Sequence, residues 1–140
     1  MDLPSKIIII SVFIQVFLTL WAILTMGMAR VKAVNTTELT MKDVALDSKA
    51  YPEDVLKLGN NMQNQFETPI LLYAGAAIAL SVGANWVMAG AAVAYITTRF
   101  WHRWIHVRHN RVAKRFMVFV YGIAALAVFW LALSVQVFLP

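Results

Sequence analysis

Residues 60–75 read NNMQNQFETPILLYAG: five amide side chains and a carboxylate lead straight into an apolar run. The run itself, residues 69–82, has 14 positions, which is only about 21 Å of helix at roughly 1.5 Å per residue. A bilayer hydrocarbon core is roughly 30 Å thick. If this segment crosses a membrane, its helix must therefore begin near residues 60–62, inside the amides. Asn64 and Glu67 then sit at or just below the interface, and Pro69 kinks the helix by removing the hydrogen bond to the Gln65 carbonyl. A second reading makes Thr68 the N-cap and Pro69 the first helical residue, and leaves the amides in a loop.

The rest of the chain makes the membrane setting the natural one. Of 140 residues 61% are hydrophobic and 14% charged, too apolar for an ordinary soluble domain of this length. Runs 7–29 and 116–139 reach the ~20 apolar residues a spanning helix needs; 69–82 and 86–100 reach it only with their flanks. The first run is longer than the ~7–15 residue core of a signal peptide and lacks a small-x-small cleavage site after it, so it is expected to stay as a helix. The expected fold is an all-α integral membrane protein. Four transmembrane helices, about 7–30, 61–82, 86–106 and 114–139, form an up-down bundle, with a loop at 31–59. In that loop Pro52, Glu53, Asp54, Lys57 and Gly59 mark a short surface helix. The link at 81–85 is short enough to force an antiparallel hairpin, with Gly75, Ala76, Ala77 and Ala79 facing Ala89, Gly90, Ala91, Ala92 and Ala94.

Charge orients this arrangement. Lysine and arginine number one before the first run (Lys6), five in 30–67, none in 82–86 and six in 99–115. The positive-inside rule puts both large connections in the cytoplasm and both termini outside. The net charge of +5 thus reflects topology, and no nucleic-acid partner is expected. The plain topology and the lack of retention signals point to a bacterial inner membrane. The chain has no cysteine, so any thiol chemistry must come with a ligand. Gln15, inside the first span, reads as a helix–helix hydrogen bond.

Two polar stripes converge at the cytoplasmic end. On a continuous helix Asn60, Asn64, Glu67 and Leu71 lie within about 60° of one another, with Gln63 beside them. Tyr95, Arg99, His102, His106 and His109 recur at spacings of four, three, four and three. Arg30 closes the first span nearby, and Arg111, Lys114 and Arg115 open the last. Each residue has an ordinary explanation: arginines snorkel, amides sit in solvated loops. Together they say more, because an ionisable group within a span normally faces the bundle interior or a wet cavity with a partner, and Glu67 and Arg99 are the natural pair. One carboxylate, several amides and several arginines suit a small zwitterionic ligand with more than one carboxylate.

These motifs resemble those of the MAPEG family, the membrane-associated proteins in eicosanoid and glutathione metabolism. The family's Asn-x-x-Glu followed by proline is similar to Asn64-Gln65-Phe66-Glu67-Thr68-Pro69. Its Arg-x-x-His-x-x-x-Tyr is similar to residues 99–106, RFWHRWIH, with His106 in the tyrosine's place. Arg30 matches the arginine closing the first helix, and Asn110-Arg111 and Tyr121-Gly122 resemble pairs before and within the last. The resemblance spans the whole chain. It implies a homotrimer of four-helix subunits binding glutathione between neighbours near the cytoplasmic face. The implied binding residues are Arg30, Asn60, Gln63, Asn64, Glu67, Arg99, His102, His106 and Tyr121. Arg111 or Arg115 would stabilise the glutathione thiolate as the catalytic cation, and no metal is implied. The implied function is a glutathione-dependent transferase or peroxidase acting on lipophilic electrophiles that arrive through the membrane lipids.

The sequence departs from the family at three places. Asn60 and Gln63 stand where relatives carry arginine, which Lys57 could offset if the helix reaches it. His106 replaces a tyrosine. Phe116 or Val112 stands where some prostaglandin synthases have serine, which argues against that activity. Three other readings compete: a ligand-binding member of the same fold without turnover, a small multidrug-type transporter, and a haem or metal site on His102, His106 and His109. The transporter would need a carboxylate deep in a span, and Glu67 is only at an edge.

Overall fold

The computed structural model describes residues 1–45 and 47–139, and the regular structure among them is helical throughout. Helix α1 runs Leu3–Thr36, α2 Met41–Val44, α3 Glu53–Gln63, α4 Pro69–Val82, α5 Trp86–Arg108 and α6 Val112–Phe138, with a single 3-10 turn at Ser48–Ala50.

Helix α1 is longer at both ends than the expected 7–30. Its start is set by the Asp2 carboxylate accepting from the Ser5 N–H at 3.2 Å, with Pro4 in the first turn. At the other end nothing breaks the helix after Arg30 until Thr37, whose hydroxyl and N–H both bond the Ala33 carbonyl. Thirty-four residues make about 51 Å of helix, so α1 is longer than a hydrocarbon core of roughly 30 Å is thick. Both α1 and α6 are long and apolar enough to cross a membrane, and α4 is a shorter apolar helix. Phe13, Phe17 and Leu24 on α1 and Phe116 and Leu131 on α6 point outward, as lipid-facing side chains would.

The expected helix 61–82 is instead two helices with a break between them. Helix α3 starts behind Pro52 with Glu53 and Asp54 in its first turn, favourable charges at a helix N-terminus, and continues through the amides to Gln63. Residues 64–68 then tighten into turns, with Gln65 N–H on the Met62 carbonyl and Phe66 N–H on the Gln63 carbonyl, each at 2.9 Å. Pro69, which has no N–H to give, becomes the first residue of α4. Thr68 holds the N-cap position without capping; its hydroxyl bonds the Tyr95 hydroxyl at 2.9 Å. Each of the two readings of this stretch is thus correct over one half of it.

Four helices meet in one core: Ile8 of α1, Leu72 and Ala76 of α4, Met88, Ala92 and Tyr95 of α5, and Leu126 and Phe129 of α6. Helix α5 packs on α1 and α6, and α4 also packs on α1 and α6. The link between α4 and α5 turns at Gly83, φ +96°, and Asn85 caps α5 by accepting from the Met88 N–H. The small residues expected to pack α4 against α5 do not do so: the two helices hardly touch, Gly75 faces α6, and Gly90 is exposed with open space around it. A Cβ on Gly75 would lie 2.7 Å from the Phe129 ring, and one on Gly122 would lie 2.8 Å from the Thr98 hydroxyl. Phe129 is fully buried and has no room to move. Gly75→Ala is therefore expected to destabilise the protein by about 1–3 kcal/mol through overpacking, read as a lower thermal midpoint of the detergent-purified chain.

Candidate functional site

The interior of this protein is polar where α3 and the break meet α5. Tyr95, Arg99, His102 and His106, one helical stripe at four, three and four, are all buried, and Arg103, one turn on from Arg99, is buried with them. Two guanidinium groups inside a helical protein need acceptors. Arg99 Nη2 donates to the Asn64 main-chain carbonyl. In an unbroken helix that carbonyl would be engaged by the Thr68 N–H; the turn at 64–68 leaves it for the arginine. Arg103 Nη1 donates to Asn61 Oδ1 and Nη2 to the Thr25 hydroxyl at 3.1 Å. Its guanidinium also lies over the Trp21 ring, 4.4 Å from the centroid. Gln15 of α1 donates to Gln65 Oε1 at 3.0 Å, and Gln65 Nε2 to the Asn61 carbonyl. Gln15 thus makes a long-range hydrogen bond from α1, as expected, but to the turn between α3 and α4 rather than to a helix.

The amide-rich stretch therefore has two faces. Asn61 and Gln65, four apart, point inward and are fully buried, continuing the line to Pro69 and Leu72. Asn60, Gln63 and Glu67 are exposed and Asn64 is half-buried. The expected Glu67–Arg99 pair does not form, because Arg99 takes the nearer carbonyl; among the described residues the ion pair is Lys57–Glu53 at 2.8 Å. Helix α3 does reach Lys57, but that pairing engages its charge. His109 leaves the histidine stripe because α5 ends at Arg108, and it is exposed. His102 and His106 have ring centroids 5.8 Å apart, each with a buried Nδ1 lacking a partner.

Arg30, Asn60 and Gln63 come together. They line a cavity of about 290 Å³ between the end of α1 and α3, with Tyr51, Gly59 and Phe66 completing the wall. The Arg30 guanidinium stacks over Tyr51 at 5.2 Å, and its buried Nε has no partner. Arg111 and Arg115 do not line this cavity. Arg111 is the exposed N-cap residue of α6; Arg115 is half-buried, with Nη1 donating to Asn110 Oδ1 at 2.8 Å. Tyr121 points outward from α6 at 59% exposure.

Sequence reasoning missed Asn61, Gln65, Arg103 and Tyr51. A signal existed for Arg103, which follows Arg99 by four on α5, and for Asn61 and Gln65, which share a helix face with Pro69. Tyr51 had none, since its place over Arg30 depends on the path of the preceding loop.

Among the described residues the chain is all-helical, with two apolar helices of membrane length and two buried arginines, one bonded to the Asn61 side-chain amide and one to the Asn64 main-chain carbonyl. It belongs to the MAPEG family, whose model matches residues 8–135 of the 140. No curated protein and no solved structure matches the chain.

Proposed function

We propose that this protein is a glutathione-dependent transferase or peroxidase for lipophilic electrophiles, built as a trimer of four-span subunits with both termini outside the cytoplasm. The family match carries the reading, and the Arg30 cavity supports it. A cation with a free buried donor, facing two exposed amides and no carboxylate of its own, suits a ligand carboxylate. At about 290 Å³ the cavity falls just below the range of small-molecule sites, about 300–1,000 Å³. It holds one end of glutathione, and the exposed Glu67 and Tyr121 then act across the boundary with a second copy.

Glutathione supplies the thiol nucleophile that the cysteine-free chain lacks. Arg30 binds a carboxylate, Asn60, Gln63 and Asn64 bond peptide groups, and Glu67 takes the ammonium group. Arg99, His102 and His106, expected to bind the same ligand, do not line this cavity; Arg99 and His102 sit instead between α5 and α6, with Tyr95 and Phe119. Arg115, half-buried, is better placed than exposed Arg111 to hold the thiolate, since a cation acts more strongly where water is partly excluded. The thiolate sulfur donates its electron pair to the electrophilic carbon, the leaving group departs with the bonding pair, and the thiol proton goes to solvent.

Thioether formation from glutathione and a lipophilic aryl halide by the purified protein, followed by mass spectrometry, tests this directly; glutathione binding without product would favour the non-catalytic reading. Arg30→Gln is expected to weaken glutathione binding about tenfold, the worth of one charge-assisted hydrogen bond, in a calorimetric titration.

A further inference from the structure

We propose that a second site, on the outer face between α1 and α5, binds the headgroup of an anionic phospholipid. The recess there measures about 190 Å³ and is lined by Trp21, Phe100, Arg103, Trp104, Val107 and Arg108. None of these residues lines the Arg30 cavity. At roughly 30 Å³ per water the recess holds about six water volumes, enough for a phosphodiester but not for a whole lipid.

Its chemistry is ordered along α5. Phe100 and Trp21 give an apolar floor, Arg103 comes about 26 Å from the start of α5, and Arg108 about 33 Å from it, at the rise of a helix. An acyl chain over Phe100 would bring its phosphate level with the two arginines, near the edge of a roughly 30 Å hydrocarbon core. Each guanidinium lies over an indole, Arg103 over Trp21 at 4.4 Å and Arg108 over Trp104 at 4.1 Å, which fixes the cations beside the recess.

Charge selects the occupant. Arg103 is 5% exposed, yet its partners are a neutral amide and a hydroxyl, which use two of its five N–H groups. Neither Arg103 nor Arg108 is paired with a carboxylate among the described residues. Two uncompensated cations above an apolar floor complement an anionic amphiphile, whereas a zwitterionic lipid brings beside the same phosphate a quaternary ammonium that they repel. A second copy of this chain would have to bring a carboxylate. The acids nearest a span are Asp2, at the far end of α1 from Arg30, and Glu67.

The test uses the full chain in detergent micelles doped with phosphatidylglycerol or phosphatidylcholine, with retained lipid counted by native mass spectrometry. Phosphatidylglycerol is expected to bind more tightly, with Arg108→Gln cutting that preference about fivefold, the worth of one cation at a membrane surface. Arg108→Lys should retain most of it, and glutathione binding should be unchanged. Equal retention of both lipids by the unmodified chain would overturn the proposal. So would displacement of phosphatidylglycerol by inorganic phosphate at equal concentration, which would assign the site to a free anion. Crosslinking of Trp104→Cys between copies, with no lipid retained, would assign the face to the oligomer.

Discussion

Asn61→Leu is expected to lower the stability of the folded protein by about 3 kcal/mol, the cost of leaving a buried charged donor without its acceptor. The substitution changes volume little and leaves the helix intact. What it removes is the Oδ1 that accepts from Arg103 Nη1, leaving the Thr25 hydroxyl as the guanidinium's hydrogen-bond partner and no carboxylate paired with it among the described residues. Asn61→Asp should behave in the opposite way, since it offers the same oxygen with a negative charge and should hold stability close to that of the unmodified chain. Denaturant unfolding of the two variants in matched detergent separates a role for charge from one for shape. If the leucine variant unfolds like the unmodified protein, the arginine is solvated and the buried network does not hold the helices together.

Arg115→Ala is expected to lower the turnover number about 10²-fold, the usual worth of one preorganised charge at a reacting atom, with glutathione affinity changed less than the rate. Arg111→Ala should cost far less, because its exposed side chain is screened by solvent. Measuring kcat and KM for both variants with saturating electrophile gives the split. The reverse ranking would move the thiolate to the exposed start of α6.

Several features are legible in the amino-acid sequence alone. Two membrane-length helices stand out by length, and MAPEG membership follows from the order of Asn64, Glu67, Pro69, Arg99 and His102. The expectation of a single helix over 61–82 fails for a local reason. Span length argues for continuity, but the chain satisfies the groups around Pro69 by tightening residues 64–68 and handing the Asn64 carbonyl to Arg99. That exchange needs a partner 35 residues away, which no window around the proline contains. The same limit hides the inward face. Asn60/Asn64 and Asn61/Gln65 are equally good stripes by periodicity, and only the position of Arg103 on α5 decides which pair is buried. The stretch NNMQNQFETPILLYAG is polar before it is apolar because two of its five amides, Asn61 and Gln65, are partners in the buried network, and two, Asn60 and Gln63, line the cavity of Arg30.

The most direct measurement of the central claim is the thermal unfolding midpoint of the purified protein across a glutathione titration, with Arg30→Gln beside it. A ligand that binds only the folded state adds about 2.7 kcal/mol at a hundredfold excess over its dissociation constant. The midpoint is predicted to climb with glutathione, and the Arg30→Gln curve to need about tenfold more for the same rise. A midpoint that stays flat up to millimolar glutathione would contradict the account.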